Sequence, residues 1–327
     1  MQQRATLLDV ATEAGVSRST ASRVLTGTLR NVDPQLAERV LEASQRLGYR
    51  ANPVARALRR QSTGNVGILV PSIRNSYFVH LVDAFTRVAN RSHFGVVLAD
   101  SGDDPELESR RIDAFGESLV DALAVVPTSV TASGPSIRRA LERTRVVQVD
   151  RWTAGVDCGF VGVDNEAGIR LMVEHLRSNG RRRIAYIGAD QDTSAGVERL
   201  AAFRAHAHPG DREILLPHFS TSAGHHAAQR LLADGPLPDA ALCTADVLAV
   251  GLLSTLQKEG VKVPDDIAVT GFDGTDLLEL MNPPITALRH PLDAIAERAL
   301  ELMLGPSVPA HPEKVRLPPE LVARSTS

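Results

Sequence analysis

Apolar positions at the start of the chain recur with helical spacing. Leu7, Val10, Ala11 and Ala14 fall on one face of a helix. Thr6 precedes them as an N-cap, with Asp9 in the first turn. Gly15 supplies the left-handed residue that ends this helix, and Val16 can fill the corner after it. Ser17 then caps a second helix. Ala21, Val24 and Leu25 point inward from it, while Arg18, Ser19, Thr20 and Arg23 point outward. A short helix with small apolar residues behind and arginines and hydroxyls in front suits insertion into a DNA major groove. The same pattern also fits an ordinary helical hairpin with a solvated face. Asp33-Pro34 opens a third helix, in which Leu36, Val40, Ala43 and Leu47 repeat before Gly48 ends it. Asn52-Pro53 begins one more helix, of under two turns, reaching about Arg59. A helix that short is marginal in water and is expected to order only on binding.

From Asn65 onward the period changes. Apolar, β-branched runs occur at Val66–Val70, Gly95–Leu98, Ala122–Val126, Val146–Val149, Ile184–Ile187, Ala240–Cys243 and Ile267–Thr270. Helical patterns such as Val79–Asn90, Ala167–Ser178, Ser222–Ala233 and Val247–Lys258 separate them. This alternation predicts parallel sheets covered by helices on both faces. The expected architecture is a small all-α helix-turn-helix head followed by a large α/β body.

Charge sharpens the division. Residues 1–62 hold 10 Arg, no Lys and five Asp or Glu, for a net charge of +5, while the other 265 residues carry −8. A basic head on an acidic body concentrates attraction for phosphate in one place. With 327 residues, 43% of them apolar, the chain is long enough for more than one domain and large cores. No apolar run reaches the roughly 18 residues of a membrane span. The first residues show no apolar signal region, so a cytoplasmic protein is expected. Cys158 and Cys243 have no metal-ligand spacing and read as core residues in a reducing compartment.

Open parallel sheets bind ligands beyond the carboxyl ends of their strands. There the sequence offers Asn75, Tyr77 and Phe78 after the first strand, Asp100 after the second, and Asp150-Arg151-Trp152 after the fourth. Phe78 could equally be core, Trp152 could cover a loop, Arg151 could sit in a surface ion pair, and Asp100 could cap a helix. An enzyme would need more. Asp150, Asp164, Asp246 and Asp273 could in principle supply an acid–base pair. No nucleophile elbow, Walker loop, metal cluster or dinucleotide fingerprint accompanies them. His225 and His226 are adjacent, so on a helix they point about 100° apart and make a poor metal pair. Neither catalysis, a metal nor a cofactor is expected.

The segments TLLDVATEAGVSRSTASRVL and YRANPVARAL resemble the DNA-binding signature and the hinge helix of the lactose/galactose repressor (LacI/GalR) family of bacterial transcription regulators. The resemblance runs over essentially the whole chain. One departure is Ala51, where the family commonly has Pro. The resemblance implies a DNA-binding domain at 1–50, a hinge helix and linker at 51–62, and an effector-binding and dimerisation domain at 63–327. That last domain would be periplasmic-binding-protein-like, with two parallel-sheet subdomains. One is expected at about 63–164 and 291–315, the other at about 165–290 and 316–324, with crossings near Asp164, Pro291 and Arg316.

The residue roles follow from the same resemblance. Arg18, Ser19 and Arg23 would face base edges, while Thr6, Ser17 and Thr20 would hold phosphates. Asn52, Ala55 and Leu58 of the hinge would enter the minor groove, with Leu58 as the wedge. Arg199 in GVERLAAF, Phe219, Asp246 and Asp273 in TGFDG match ligand-binding positions. Asn75, Tyr77 and Phe78 fall where the family has an Asn-Pro-Phe-Phe type segment. Ala245 stands where many members carry an Asn that holds a sugar hydroxyl. The expectation is a homodimer that binds pseudo-palindromic operator DNA and represses a carbohydrate-utilisation operon, with a sugar or sugar derivative as effector. The alternatives are a transport-type solute-binding protein and a regulator of a non-sugar metabolite. The tail LPPELVARSTS lacks heptads, which argues against a tetramerising coil.

Overall fold

The computed structural model describes residues 5–26, 32–49, 62–116, 120–189, 191–305 and 312–327. The hinge positions Asn52, Ala55 and Leu58 lie outside them. The chain divides into two compact units, 1–63 and 64–327.

The first unit holds three helices: α1 (Leu7–Glu13), α2 (Arg18–Leu25) and α3 (Pro34–Arg46). Val10, Ala11, Ala14, Ala21, Val24, Val40 and Ala43 form its core. Thr6 closes a capping box with Asp9. Its backbone N–H donates to Asp9 Oδ2 at 2.7 Å and its hydroxyl accepts from Asp9 N at 3.3 Å. Gly15 turns the chain at φ +63°, and a Cβ there would lie 2.9 Å from Arg39 Nη2. The Arg39 guanidinium donates to the Ala14 carbonyl, tying α3 to the end of α1. Asp33 caps α3 through Gln35 N at 2.8 Å. Within the expected apolar face of α3, Val40 and Ala43 are buried, whereas Leu36 is half-buried and Leu47 is exposed.

The second unit has two lobes. In chain order the first lobe contains β1 (Asn65–Val70), α4 (Ser76–Arg91), β2 (Gly95–Asp100), α5 (Pro105–Gly116), β3 (Ala122–Val125), α6 (Gly134–Leu141), β4 (Arg145–Val149) and β5 (Gly159–Val163). The second contains α7 (Asn165–Ser178), β6 (Ile184–Ala189), α8 (Ser194–Ala205), β7 (Arg212–Leu216), α9 (Thr221–Ala233), β8 (Ala240–Cys243), α10 (Asp246–Lys258), β9 (Ala268–Gly271) and β10 (Thr286–Arg289). Then α11 (Leu292–Leu304) and β11 (Lys314–Leu317) return to the first lobe, and β12 (Glu320–Val322) closes the second.

The first sheet runs β11-β5-β4-β3-β1-β2 and is parallel throughout. Val66, for example, pairs with Val96 on one side and Ala122 on the other. The second runs β12-β10-β9-β8-β6-β7, with β12 antiparallel to β10. Each sheet buries an apolar cluster on both faces. In the first lobe, α4 and α11 cover one face and α5 and α6 the other. In the second, α9 and α10 cover one face and α7 and α8 the other. Burial on both sides explains why the central strands read as continuous apolar runs. At Gly251 a Cβ would collide with the Thr221 carbonyl, so glycine allows α9 and α10 to approach closely.

Arg316 and Leu317 belong to β11 of the first sheet. The third crossing, expected near Arg316, therefore falls at Pro318-Pro319, between β11 and β12. Two consecutive prolines cannot continue a sheet ladder, which fixes the point where the chain leaves one lobe for the other. Cys158 and Cys243 are both buried and free. Burial pushes the Cys158 thiol up to about 11 and Cys243 higher still. No helix among the described residues is long and apolar enough to cross a membrane.

Candidate functional site

Two surfaces carry the candidate residues. In the first unit, α2 exposes Arg18, Ser19 and Arg23 while Ala21 and Val24 fix its other side in the core. The hydroxyls at its start are linked. Ser17 Oγ accepts from Thr20 N at 3.1 Å and lies 2.8 Å from Ser19 Oγ and 2.9 Å from Thr20 Oγ1. Thr6 is likewise engaged, donating its hydroxyl to Asp9 Oδ2 at 2.8 Å. These hydroxyls hold the helix starts in place, while the two arginines stand free of the head's core.

The second surface lies between the lobes, at the carboxyl ends of both sheets. Asp150 follows β4 with φ +64°, a left-handed conformation that Asp tolerates better than most residues. The turn is held by Asp150 N to Val161 O at 2.8 Å. It delivers the Asp150 carboxylate to the Tyr77 hydroxyl, which donates to Oδ1 at 2.5 Å. Burial, then the Asp150 charge, raises the Tyr77 phenol well above its ordinary value, so Tyr77 is a neutral donor.

Arg151 is only 5% exposed. Its guanidinium lies 5.3 Å from the Phe78 ring centre in the first lobe and 5.8 Å from that of Phe219 in the second. It is thus no surface ion pair: it spans the junction. Its Nε is 3.8 Å from Asp150 Oδ2 and has no hydrogen-bond partner among the described residues. Phe78 serves both roles open to it, packing in the α4 core and flooring the junction.

Across the junction, Arg199 projects from α8. Its Nε donates to Asn165 Oδ1 at 2.8 Å and its Nη1 to Thr244 O at 2.7 Å, and it stacks 4.0 Å from the Phe272 ring centre. Asp273 and Asp246 form a buried carboxyl pair. Asp246 Oδ1 accepts from Phe272 N and Asp273 N, and Oδ2 accepts from Thr275 N and Thr275 Oγ1. Four donors from one loop occupy Asp246, so it braces the turn after β9. Among the described residues the Asp273 carboxylate accepts only from Asp246 N, at 3.0 Å. Burial and the neighbouring Asp246 charge push Asp273 up to about 8, against the opposing pull of Arg199. Burial raises the Asp246 carboxyl as well, against the hydrogen bonds it accepts from Thr275 and Asp273, and a carboxyl raised to about 8 keeps Asp273 protonated at neutral pH.

Other expected contacts have local duties. Asn75 caps α4 through Tyr77 N at 3.1 Å. Asp100 accepts from Ile73 N at 2.8 Å and Gly102 N at 2.6 Å, closing the turns after β1 and β2. Trp152 donates its indole N–H to Glu198 Oε1 at 2.8 Å and its backbone N–H to Ser194 Oγ at 2.9 Å, both in the second lobe. Ala245 is buried in the α9–α10 core.

His290 was not expected. It is 4% exposed, edge-on to Tyr77 at 5.1 Å and to Phe272 at 5.5 Å, and neither ring nitrogen has a partner among the described residues. Burial, then Arg199, holds its pKa well below the usual value, so the ring is neutral and offers one donor and one acceptor. An unpaired buried polar atom costs about 1–3 kcal/mol, which a ligand's hydrogen bond would recover. His290 sits at the carboxyl end of β10, and reading that strand from the sequence would have found it. Among the described residues no group of three or more His, Cys, Asp or Glu could hold a metal ion.

Comparison with known proteins agrees with this architecture. Residues 6–52 match the family described as bacterial regulatory proteins, lacI family, and residues 173–327 match the periplasmic binding protein-like domain. The HTH-type transcriptional repressor PurR of Vibrio campbellii is 31% identical over 98% of both chains, and that of Vibrio cholerae is 30% identical over the same shares. The Lac repressor bound to ONPG superposes with a TM-score of 0.87 at 25% identity, over 99% of this chain and 100% of that one. The transcriptional regulator CelR in complex with cellobiose gives 0.68 at 26% identity, over the same shares. Helix-turn-helix head, two-lobed body and full-length relatives agree: the chain belongs to the LacI/GalR family of ligand-responsive, DNA-binding transcription regulators.

Proposed function

We propose that the chain is a cytoplasmic, homodimeric repressor of a carbohydrate-utilisation operon, controlled by a sugar or sugar derivative held between the lobes. It acts by binding, not by catalysis. Two heads would read the half-sites of a pseudo-palindromic operator, so protein symmetry matches DNA symmetry. Arg18, Ser19 and Arg23 would supply base readout, and Ser17, Thr20 and Thr6 phosphate contacts. The effector would change the angle between the lobes and so shift the balance of two DNA-binding states.

The observation that carries this reading is the junction itself. Arg151 and His290 present unpaired nitrogens there, beside a protonated Asp273 and the rings of Phe78, Phe219 and Phe272. Donors, acceptors and flat apolar walls suit an uncharged, polyhydroxylated ring. Two related structures support this class: one is bound to ONPG and another to cellobiose. A second reading, a smaller non-sugar metabolite, is favoured by Ala245, which puts a methyl in the core where many family members have a sugar-binding Asn.

A thermal-shift screen of the full-length protein against mono- and disaccharides and nucleosides tests this. A true effector at 100 times its Kd stabilises by about 2.7 kcal/mol. Asp273→Ala is expected to abolish that shift and the change in operator affinity, leaving operator binding without effector near wild type. A shift with nucleosides and none with sugars overturns the carbohydrate assignment.

A further inference from the structure

We propose that Glu198 is a latch that couples the two lobes and links their contact to the arginine in the junction. It projects from α8 of the second lobe, next in sequence to Arg199. Two groups of the first lobe donate to it. Trp152 Nε1 reaches Oε1 at 2.8 Å, and the Arg316 guanidinium reaches Oε1 at 2.7 Å and Oε2 at 3.0 Å. The arginine and the carboxylate meet as a two-pronged fork, a geometry that lysine cannot reproduce. Asn165 Nδ2 supplies a further bond, to Oε2 at 2.7 Å, from within the second lobe. Arg316 also packs 5.5 Å from the Phe160 ring centre, which keeps it on the first sheet.

Asn165 makes this more than a surface ion pair. Its amide nitrogen holds Glu198 while its amide oxygen accepts from Arg199 Nε at 2.8 Å. Turning the amide over would break both bonds. Movement of the Arg199 guanidinium therefore reaches Glu198 through one rigid group, buried to 1% exposure. The latch also sits where the chain crosses between lobes. Asn165 opens α7 directly after β5, and Arg316 lies in β11 just before Pro318-Pro319. Burial alone would raise the Glu198 carboxyl, but the bonds from Arg316, Trp152 and Asn165 hold it below its ordinary value. The Arg316 side chain remains 41% exposed and that of Glu198 19% exposed. Water screens such a pair, so it is weak enough to open when the lobes turn.

The link to regulation rests on the reading above, that lobe angle is the effector's output. The latch itself is tested without any effector. The sequence has a single tryptophan, Trp152, so its emission reports on the latch directly. Full-length wild type, Glu198→Gln, Arg316→Met and the double variant are compared by acrylamide quenching of Trp152 and by amide exchange at residues 150–153, 164–168 and 314–319. Each single variant is expected to raise the quenching constant about twofold and to speed exchange about tenfold at unchanged helical content. The double variant adds little to either single one, because both remove the same contact. Arg316→Lys, which keeps the charge and loses the fork, falls between wild type and Arg316→Met. Unchanged quenching and exchange, or fully additive effects, overturn the latch. A failed effector screen leaves these readouts intact and bears only on the proposed function.

Discussion

Asp273 and His290 adjoin, the His290 backbone N donating to the Asp273 backbone O at 3.4 Å, and burial perturbs their side chains in opposite directions. Folded Asp273 titrates near 8 and unfolded near 3.8. Between those values the folded protein holds a proton that the unfolded chain has released, so stability falls as pH rises through that window. Folded His290 titrates well below its unfolded value of 6.5. Below 6.5 the unfolded chain takes up a proton that the folded one refuses, so stability falls as pH drops. Asp273→Asn is therefore expected to remove part of the loss between about pH 4 and 8, and His290→Gln part of the loss below about 6.5. Melting temperature against pH, variant minus wild type, checks both. A difference that does not change with pH refutes the assigned protonation states.

Among the elements, α1, α2 and the turn between them invite direct tests. Gly15→Ala places a Cβ at φ +63° against the Arg39 group that holds α3. The left-handed backbone alone costs about 1–2 kcal/mol, so the head should melt several degrees lower. Arg18, exposed in the first turn of α2, is expected to read one base pair per half-site. Arg18→Ala should relax specificity there and cost about 1–3 kcal/mol per contact, measured by binding to a library of operator variants. Uniform weakening with an unchanged preferred site would make it a phosphate contact.

These head helices were legible because caps, apolar period and Gly15 all agree. The strands β1, β3, β4, β6, β8 and β9 were legible because burial on both faces makes them continuous apolar runs, and β2, a half-buried edge strand, because its run GVVLA is itself apolar. The remaining strands were not. β5 is GFVGV, with glycines where bulk would mark a strand, and β7 is an edge strand carrying Arg212 and Glu213. β10 and β11 are four residues long, β12 is three, and β11 and β12 lie at sheet edges with exposed positions. The site shows the same limit. Tyr77, Asp150 and Arg151 follow strands that the pattern reveals, and Arg199 and Asp273 came from the family resemblance. His290 follows a hidden strand. Glu198 and Asn165 look like ordinary polar residues of helices: Glu198 gains Trp152 and Arg316 only where the lobes meet, and Asn165 gains Glu198 and Arg199 only where α7 packs against α8.

Over the whole molecule, charge and connectivity set the behaviour. With net +5 on residues 1–62 and −8 on the rest, non-specific DNA binding should come from the head and be strongly salt-dependent. A dimer engaging six or more phosphates should lose about a thousandfold or more in affinity between roughly 50 and 200 mM salt. Titration on non-operator DNA at several salt concentrations measures that slope, and a flat response refutes an electrostatic head.

The three crossings bear on how the protein is made. The first sheet is begun with β1, but the helix that covers one of its faces, α11, and its edge strand β11 follow the entire second lobe. The second sheet in turn waits for β12. On the ribosome, neither lobe can finish while the other is still emerging. A nascent chain halted at Gly305 lacks an edge strand in both sheets at once. β11 and β12 complete both halves together, so truncation before β11 should yield no half-repressor able to sequester the effector or poison the wild-type dimer.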